Sequence, residues 1–175
     1  MSTNLGAIQR PATGLVRLIQ IRDYKSDAKA VYIPIKLARR FCKPDDIMIG
    51  RYGPPIFQIL RGIDGAYNVA LMKAVPNEEQ ISKDFLYYFL KNREILRFVI
   101  HASSRAAGQD GVNKDALENY PIGLPTVDEQ TAIVARLESI QLEAKSLEHH
   151  YRAKLADIDQ LRQSLLQKAF AGELS

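Results

Sequence analysis

The sequence predicts an α+β protein, a mixed α/β head followed by one long α-helix. Three observations carry that expectation. Short runs rich in β-branched and aliphatic residues alternate with turn residues between Leu15 and Val75. From Ser82 the apolar spacing becomes helical. After Pro125 there is no proline, and no glycine before Gly172, across a stretch whose apolar residues recur at heptad spacing.

The head begins with a candidate strand over Leu15 to Ile21, stopped by the polar run Arg22-Asp23-Tyr24-Lys25-Ser26. A second candidate covers Val31 to Ile35. A third, Ile47-Met48-Ile49, is entered from Lys43-Pro44-Asp45-Asp46 and left through Gly50. Ile56 to Leu60 and Ala66 to Val75 flank Gly62-Ile63-Asp64-Gly65, which reads as a hairpin loop. Ser82 can cap a helix running to about Ala102, with Phe85, Tyr88, Phe89, Leu96 and Val99 near one face. A small and polar segment, Ser103 to Gly111, follows. Asn113 then caps a short helix over Lys114 to Tyr120, and Pro121 to Pro125 is extended, since each proline biases its predecessor away from helix.

The remainder is a single helix. Thr126 with Glu129 three residues on forms a capping box, and Gly172 stands where a C-terminal cap glycine belongs. About 45 helical residues at 1.5 Å each make a rod of roughly 67 Å. Spacing by four and three gives the seam Ile133, Leu137, Ile140, Ala144, Leu147, Tyr151, Lys154, Ile158, Leu161, Leu165 and Lys168. Such a stripe argues for a coiled coil. A rod of that length outruns a head of ~125 residues, so much of the seam must meet another helix. The chain has no second long helix, so the expected partner is a helix of a second chain. The expected domains are therefore residues 1–125, the globular head, and 126–175, the long coiled-coil helix.

The protein has 175 residues, 46% hydrophobic and 25% charged. That composition excludes a wholly disordered chain, a collagen and a plain coiled-coil rod. No apolar run approaches the ~18 residues of a membrane span, and the N-terminal stretch shows no signal segment. One cysteine, Cys42, permits no internal disulfide, and a cytoplasmic setting is expected. The net charge of +4 is unevenly spread. Residues 1–125 carry 18 Lys/Arg against 12 Asp/Glu, a balance of +6, whereas residues 126–175 carry 6 against 8, a balance of −2. A basic head with a mildly acidic tail points to a polyanion partner for the head alone.

Catalytic signatures are missing. Neither G-x-x-x-x-G-K-[ST] nor G-x-G-x-x-G occurs. The sole Pro-Asp, Pro44-Asp45, follows rather than precedes Asp23-Tyr24-Lys25 and Asp27-Ala28-Lys29, so a nuclease arrangement is in the wrong order. No Asn-Pro-Pro-aromatic segment of an amino-methyltransferase appears. His149 and His150 are neighbours on the long helix and point to different faces, which suits solvation better than metal ligation. No catalytic or metal site is expected, and no cofactor.

Three polar segments are the candidate binding elements. Gly50-Arg51-Tyr52-Gly53-Pro54-Pro55 places Arg51, a planar fork for guanine edges or phosphate, and Tyr52 on a tight loop. Ser103 to Asn113 offers Arg105, Gln109, suited to adenine, and Asn113. Gln20 and Arg22 lie at the end of the first strand. Each segment also has a plainer reading: an ordinary turn with an exposed arginine, a flexible linker with a capping asparagine, and a solvated strand end.

The order of segments completes the reading. Leu18-Ile19-Gln20-Ile21-Arg22-Asp23-Tyr24 is followed by Lys43-Pro44-Asp45-Asp46-Ile47-Met48-Ile49-Gly50-Arg51-Tyr52-Gly53 and then Gly108-Gln109-Asp110-Gly111-Val112-Asn113. Pro121-Ile122-Gly123-Leu124-Pro125 precedes Asp128-Glu129-Gln130 and Ile133-Val134-Ala135-Arg136-Leu137, and the chain closes on Lys168-Ala169-Phe170-Ala171-Gly172-Glu173-Leu174. This pattern strongly resembles the specificity subunits of type I restriction–modification systems. The resemblance implies a non-catalytic DNA-recognition subunit that docks methylation and restriction subunits. The methylation subunits would supply the S-adenosylmethionine chemistry. Family members usually carry two recognition domains and two conserved helices that pair antiparallel as a spacer; this sequence holds one of each and looks like half a specificity subunit, so the resemblance implies that its helix forms an intermolecular antiparallel coiled coil. The expected partners are thus double-stranded DNA, a second copy through Ile133, Leu137, Ile140, Leu147, Tyr151, Lys154, Ile158, Leu161 and Leu165, and the methylation and restriction subunits. The alternative is a non-catalytic interaction or regulatory protein that pairs with a full-length specificity subunit.

Overall fold

The computed structural model describes residues 11–105 and 111–173; for Ser104 and Arg105 it describes the backbone only. Seven short strands, β1 (Leu15–Ile19), β2 (Tyr32–Pro34), β3 (Phe41–Cys42), β4 (Ile47–Gly50), β5 (Gln58–Leu60), β6 (Gly65–Tyr67) and β7 (Leu71–Ala74), precede four helices. These are α1 (Lys83–Leu90), α2 (Arg93–Arg105), α3 (Lys114–Glu118) and α4 (Val127–Phe170). The strands form a four-stranded sheet of order β2-β1-β6-β3 and a three-stranded sheet of order β5-β4-β7. The chain separates into two compact units after Thr131. The α+β expectation stands.

β4 organises the head because it is buried on both faces. Ile47 and Ile49 point into a cluster with Phe57, Leu90, Ile95, Val99 and Val112, whereas Met48 joins Ile19, Cys42 and Leu71. Side chains alternate across a strand, so one four-residue segment serves two cores. Full burial of each such side chain is worth about 1.5–3 kcal/mol. The uninterrupted apolar run Ile47-Met48-Ile49 is the sequence mark of a strand covered on both sides.

Several expected elements are shorter or differently joined. β1 stops at Ile19, and Ile21–Tyr24 is a 3-10 turn. The cause is Asp23, which folds back so that its Oδ2 accepts the Gln20 N–H at 3.0 Å. The second strand covers only Tyr32–Pro34, with a 3-10 turn over Ile35–Leu37 behind it. The hairpin across Gly62–Gly65 does not form. β5 pairs with β4, whereas β6 runs parallel to β1 and antiparallel to β3 in the other sheet. Gly65 permits this crossing: at φ +153° it lies so close to β1 that a Cβ would sit 2.6 Å from the Arg17 carbonyl oxygen. The apolar run after it breaks into β6 and β7 at an Asx turn, where Asn68 Oδ1 accepts the Ala70 N–H at 3.0 Å.

The expected helix from Ser82 to Ala102 is two helices. Ser82 does cap α1, its Oγ accepting the Phe85 N–H. Asn92 then restarts the chain, its Oδ1 accepting the Glu94 N–H at 2.9 Å, which competes with continuation of α1. α2 outlasts its expected end, so Ser103 to Arg105 are helical rather than loop. The Ser103 Oγ donates to the Val99 carbonyl and needs no other partner. α3 is capped by Asn113 as expected, with Ala116 N–H donating to its Oδ1 at 3.0 Å.

α4 is one uninterrupted helix of 44 residues. At its start, Thr126 and Glu129 form the reciprocal capping box: Thr126 N–H donates to Glu129 Oε2 at 2.8 Å and Glu129 N–H to Thr126 Oγ1 at 3.3 Å. Those hydrogen bonds hold the Glu129 carboxyl below the usual glutamate range. At its end, Glu173 N–H donates to Lys168 and Gly172 N–H to Ala169, with Gly172 at φ +72°. This pair is a Schellman motif. No described helix is long and apolar enough to cross a membrane.

Candidate nucleic-acid interface

Described parts of the three polar segments singled out from the sequence lie against one another: the turn after β1, the loop after β4, and residues 111–113. The first is the 3-10 turn after β1. Asp23 is buried there and lies 3.8 Å from the Arg17 and Arg22 Nε atoms. Its fold-back leaves Arg22 exposed and Gln20 half-buried. Burial also pushes the neighbouring Tyr24 hydroxyl well above the ordinary tyrosine range, with Cys42 reinforcing the rise, so Tyr24 stays neutral.

The second segment leaves β4 directly beside the first. A Cβ on Gly50 would come within 3.1 Å of Ile21 Cδ1, so the end of β4 and the 3-10 turn are in contact. The loop that follows is pinned at both ends. Phe57 is buried, holds φ 60°, and donates its N–H to the Gly50 carbonyl at 3.0 Å. A left-handed non-glycine residue costs about 1–3 kcal/mol and persists where packing dictates it. Within the loop, Arg51 N–H donates to Ala70 O at 2.9 Å. The Arg51 guanidinium lies 5.2 Å from the Tyr52 ring centroid, and its Nη1 makes one long hydrogen bond, 3.5 Å, to Val69 O. It forms no ion pair among the described residues. Its Nε is buried without a partner, so the guanidinium offers its Nη groups to an acceptor.

The third segment closes on the second. Val112 N–H donates to Arg51 O at 3.0 Å. Tyr52 packs against Gly111: a Cβ there would fall 2.6 Å from Tyr52 Cε1. Only glycine fits that approach without movement. Asn113 Oδ1 is committed to the α3 cap, which leaves its amide N–H groups and not its carbonyl for any ligand. Gln109 lies outside the described residues, as does the Arg105 side chain. Gln20, Arg22, Arg51, Tyr52 and Asn113 are thus carried on contacting segments.

The seam residues of α4 form a separate surface. Ile133, Ile140, Leu147, Tyr151, Ile158, Leu161 and Leu165 are all exposed in the single chain, Lys154 is exposed, and Leu137 is partly covered. Leu155, Leu166 and Phe170 add exposed apolar area off the seam. Sequence reasoning missed three cations, Lys36, Arg39 and Arg40, all exposed and outside the ion pairs of the described residues. Their closeness in sequence was a usable signal.

Comparison with known proteins gives a consistent result. The model of a family described as the type I restriction modification DNA specificity domain matches residues 42–156. The chain is similar to the type I restriction enzyme EcoBI specificity subunit of Escherichia coli, 33% identical over 176 residues, covering 92% of this chain and 35% of that protein. It is also similar to the StySPI specificity subunit of Salmonella potsdam, 31% identical over 99 residues, or 57% of this chain and 21% of that one. Among solved structures, the HsdS subunit from Thermoanaerobacter tengcongensis matches with a TM-score of 0.68 at 17% identity, covering 88% of this chain and 43% of that one. A chain from a study of complex assembly and conformational transition of the type I R-M system matches at 0.70 and 21%, covering 97% and 43%. The chain spans about a third of the length of the EcoBI relative.

Proposed function

The chain belongs to the type I restriction modification DNA specificity family, and from that premise we propose that its head reads a short sequence in double-stranded DNA without catalysing a reaction, in the cytoplasm. The observation that carries this reading is the convergence of the 3-10 turn after β1, the Arg51–Tyr52 loop and the Gly111–Asn113 segment into one contacting set. Arg51 supplies a planar fork for guanine edges or phosphate, Arg22 a solvated charge, Tyr52 a flat face, and Gln20 and Asn113 hydrogen-bonding amides. Gln109 and Arg105 belong to the same reading surface in this proposal.

The long helix supplies the second half of the function. Its seam from Ile133 to Leu165 is apolar at heptad spacing and exposed, which is unfavourable in water without a partner helix. Two identical chains associate most often about a two-fold axis. An antiparallel pair of rods sets two heads at opposite ends of a spacer, each reading the same bases on opposite strands. The target is then a split palindrome, two inverted half-sites with unread bases between them. Methylation and restriction subunits complete the assembly, as the family membership suggests.

Selection of bound duplexes from a random pool tests the reading. The expected product is a pair of inverted half-sites separated by a constant gap. An asymmetric target, or a symmetric one without a gap, would overturn the two-headed antiparallel arrangement. Failure to enrich any sequence would overturn DNA recognition itself.

A further inference from the structure

We infer that Lys36, Arg39 and Arg40 form a phosphate-gripping strip that holds the duplex beside Arg51, an inference that rests on the DNA-reading function proposed above.

The strip is built by the chain between β2 and β3. Pro34 ends β2, and the 3-10 turn over Ile35–Leu37 projects Lys36; Arg39 and Arg40 follow in extended backbone just before β3. All three side chains are exposed. Arg39 and Arg40 line an open cavity of about 360 Å³ together with Leu37, Tyr67, Asn68 and Val69. The last of these connects the cavity to the reading loop. Tyr67 N–H donates to Arg40 O at 3.1 Å, and two residues further on Val69 O receives the Arg51 guanidinium. Two residues of extended chain span at most about 7 Å. Arg40 and Arg51 therefore flank one short turn, within reach of a single duplex whose major groove is about 12 Å wide.

Several cations elsewhere on the head are paired, whereas Lys25, Lys29, Lys43, Lys91 and Arg93 lie outside the ion pairs of the described residues just as these do; this surface is set apart by gathering Arg39, Arg40 and Arg51 around the Tyr67–Val69 turn. Lys83 reaches Asp45 at 2.6 Å, Lys73 reaches Asp46 at 3.0 Å, and Arg17 reaches Asp27 at 2.7 Å. Arg61 pairs with Asp84 and stacks on Tyr87. Lys36, Arg39, Arg40 and Arg51 have no such carboxylate among the described residues, and no acidic side chain lines the cavity of Arg39 and Arg40. Cations left uncompensated on one surface concentrate positive potential there, which is what a polyanion selects. Val69, 62% exposed at the tip of the turn, would be a poor choice for water, but it suits contact with a thymine methyl between the two arginines.

The test is fluorescence anisotropy of the full chain with a labelled mixed-sequence duplex, titrated between about 50 and 200 mM KCl. Every phosphate that a variant no longer neutralises should reduce the slope of log affinity against log salt by about 0.9, so R39Q/R40Q should make it shallower by about two. Weakening should be equal for all sequences, because phosphates carry no base information. R39K/R40K should restore the slope. Lys83→Gln, which removes a cation already paired, should leave it unchanged. If the parent shows a steep slope and R39Q/R40Q retains it, the strip is wrong and DNA recognition stands. If lysines do not restore the slope, the arginines act through their fork and the phosphate assignment is wrong. If the parent shows no salt-dependent duplex binding at all, the DNA reading fails and this proposal fails with it.

Discussion

Replacing Gln130 with alanine should destabilise the head severely, although Gln130 is a polar residue in the first turns of a helix. Its side chain is 0% exposed. Its Oε1 accepts the Ser82 N–H at 2.9 Å, and its Nε2 donates to Gln80 O at 2.7 Å and to Pro125 O at 3.0 Å. One amide thus joins the segment before α1 to the connector before α4, and it satisfies three backbone groups. A net hydrogen bond is worth about 1 kcal/mol, and a buried group left unpaired costs about 1–3 kcal/mol. Gln130→Ala removes all three bonds at once, so the expected loss is about 3–4 kcal/mol. For a domain near this size each kcal/mol lowers Tm by about 4 °C, so the midpoint should fall by about 12–16 °C. Thermal unfolding followed by circular dichroism measures this, with exposed Gln160→Ala as the control that should move Tm by less than about 2 °C. Gln130→Glu refines the test. The introduced carboxylate keeps the acceptor for Ser82 but faces two carbonyls, so it must be protonated to replace the missing donor. That variant should be least stable at neutral pH and recover as pH falls. A loss under about 1 kcal/mol for Gln130→Ala would refute the view that this amide holds the junction together.

The intact chain should sediment as a dimer at micromolar concentration, and Leu147→Asp should make it monomeric without unfolding the head. Lys154→Leu should raise the Tm of that dimer, since a charge at a seam position costs stability; a clear drop would show a needed contact. Arg51→Ala should reduce discrimination at one base position by about 1–3 kcal/mol while lowering head stability by no more than about 1 kcal/mol, measured by competition binding and thermal melts. Burial pushes the Cys42 thiol up to about 11 from its ordinary value of 9.0. In that window the unfolded chain binds fewer protons than the folded one, so stability should fall as pH rises from about 9 to 11. Cys42→Ala should flatten that fall in denaturant melts, and an unchanged slope would contradict the assignment.

Local chemistry was legible in the sequence wherever one residue decides the outcome. Ser82, Asn113 and Thr126 each cap the helix that their side chains suggest, and Gly172 closes α4. The rod was legible because nothing within it breaks a helix. Strand pairing was not, since Gly65 looks like half of a hairpin turn when its surroundings are unknown. Its real constraint is the Arg17 carbonyl, forty-eight positions earlier in the chain. The split between α1 and α2 was hidden for a similar reason. The apolar period runs through Lys91 and Asn92, and only the side-chain bond of Asn92 to Glu94 reveals the restart. Of the candidate binding residues, Arg51 and Tyr52 were visible as types in a loop. Their contact with Gly111 and Val112 was not, because about sixty positions separate them.

Under the proposed DNA reading, the contact between Tyr52 and Gly111 ties the preferences of the two loops together. Tyr52 fits against Gly111 with no room for a side chain, and the Arg51 carbonyl accepts the Val112 N–H. The two loops are therefore not independent letters of an alphabet. Grafting one from a relative of different preference would present a foreign surface to its neighbour and spoil the mounting of both. On that reading, a graft of the whole head should keep both loops mounted, whereas a graft of one loop should not.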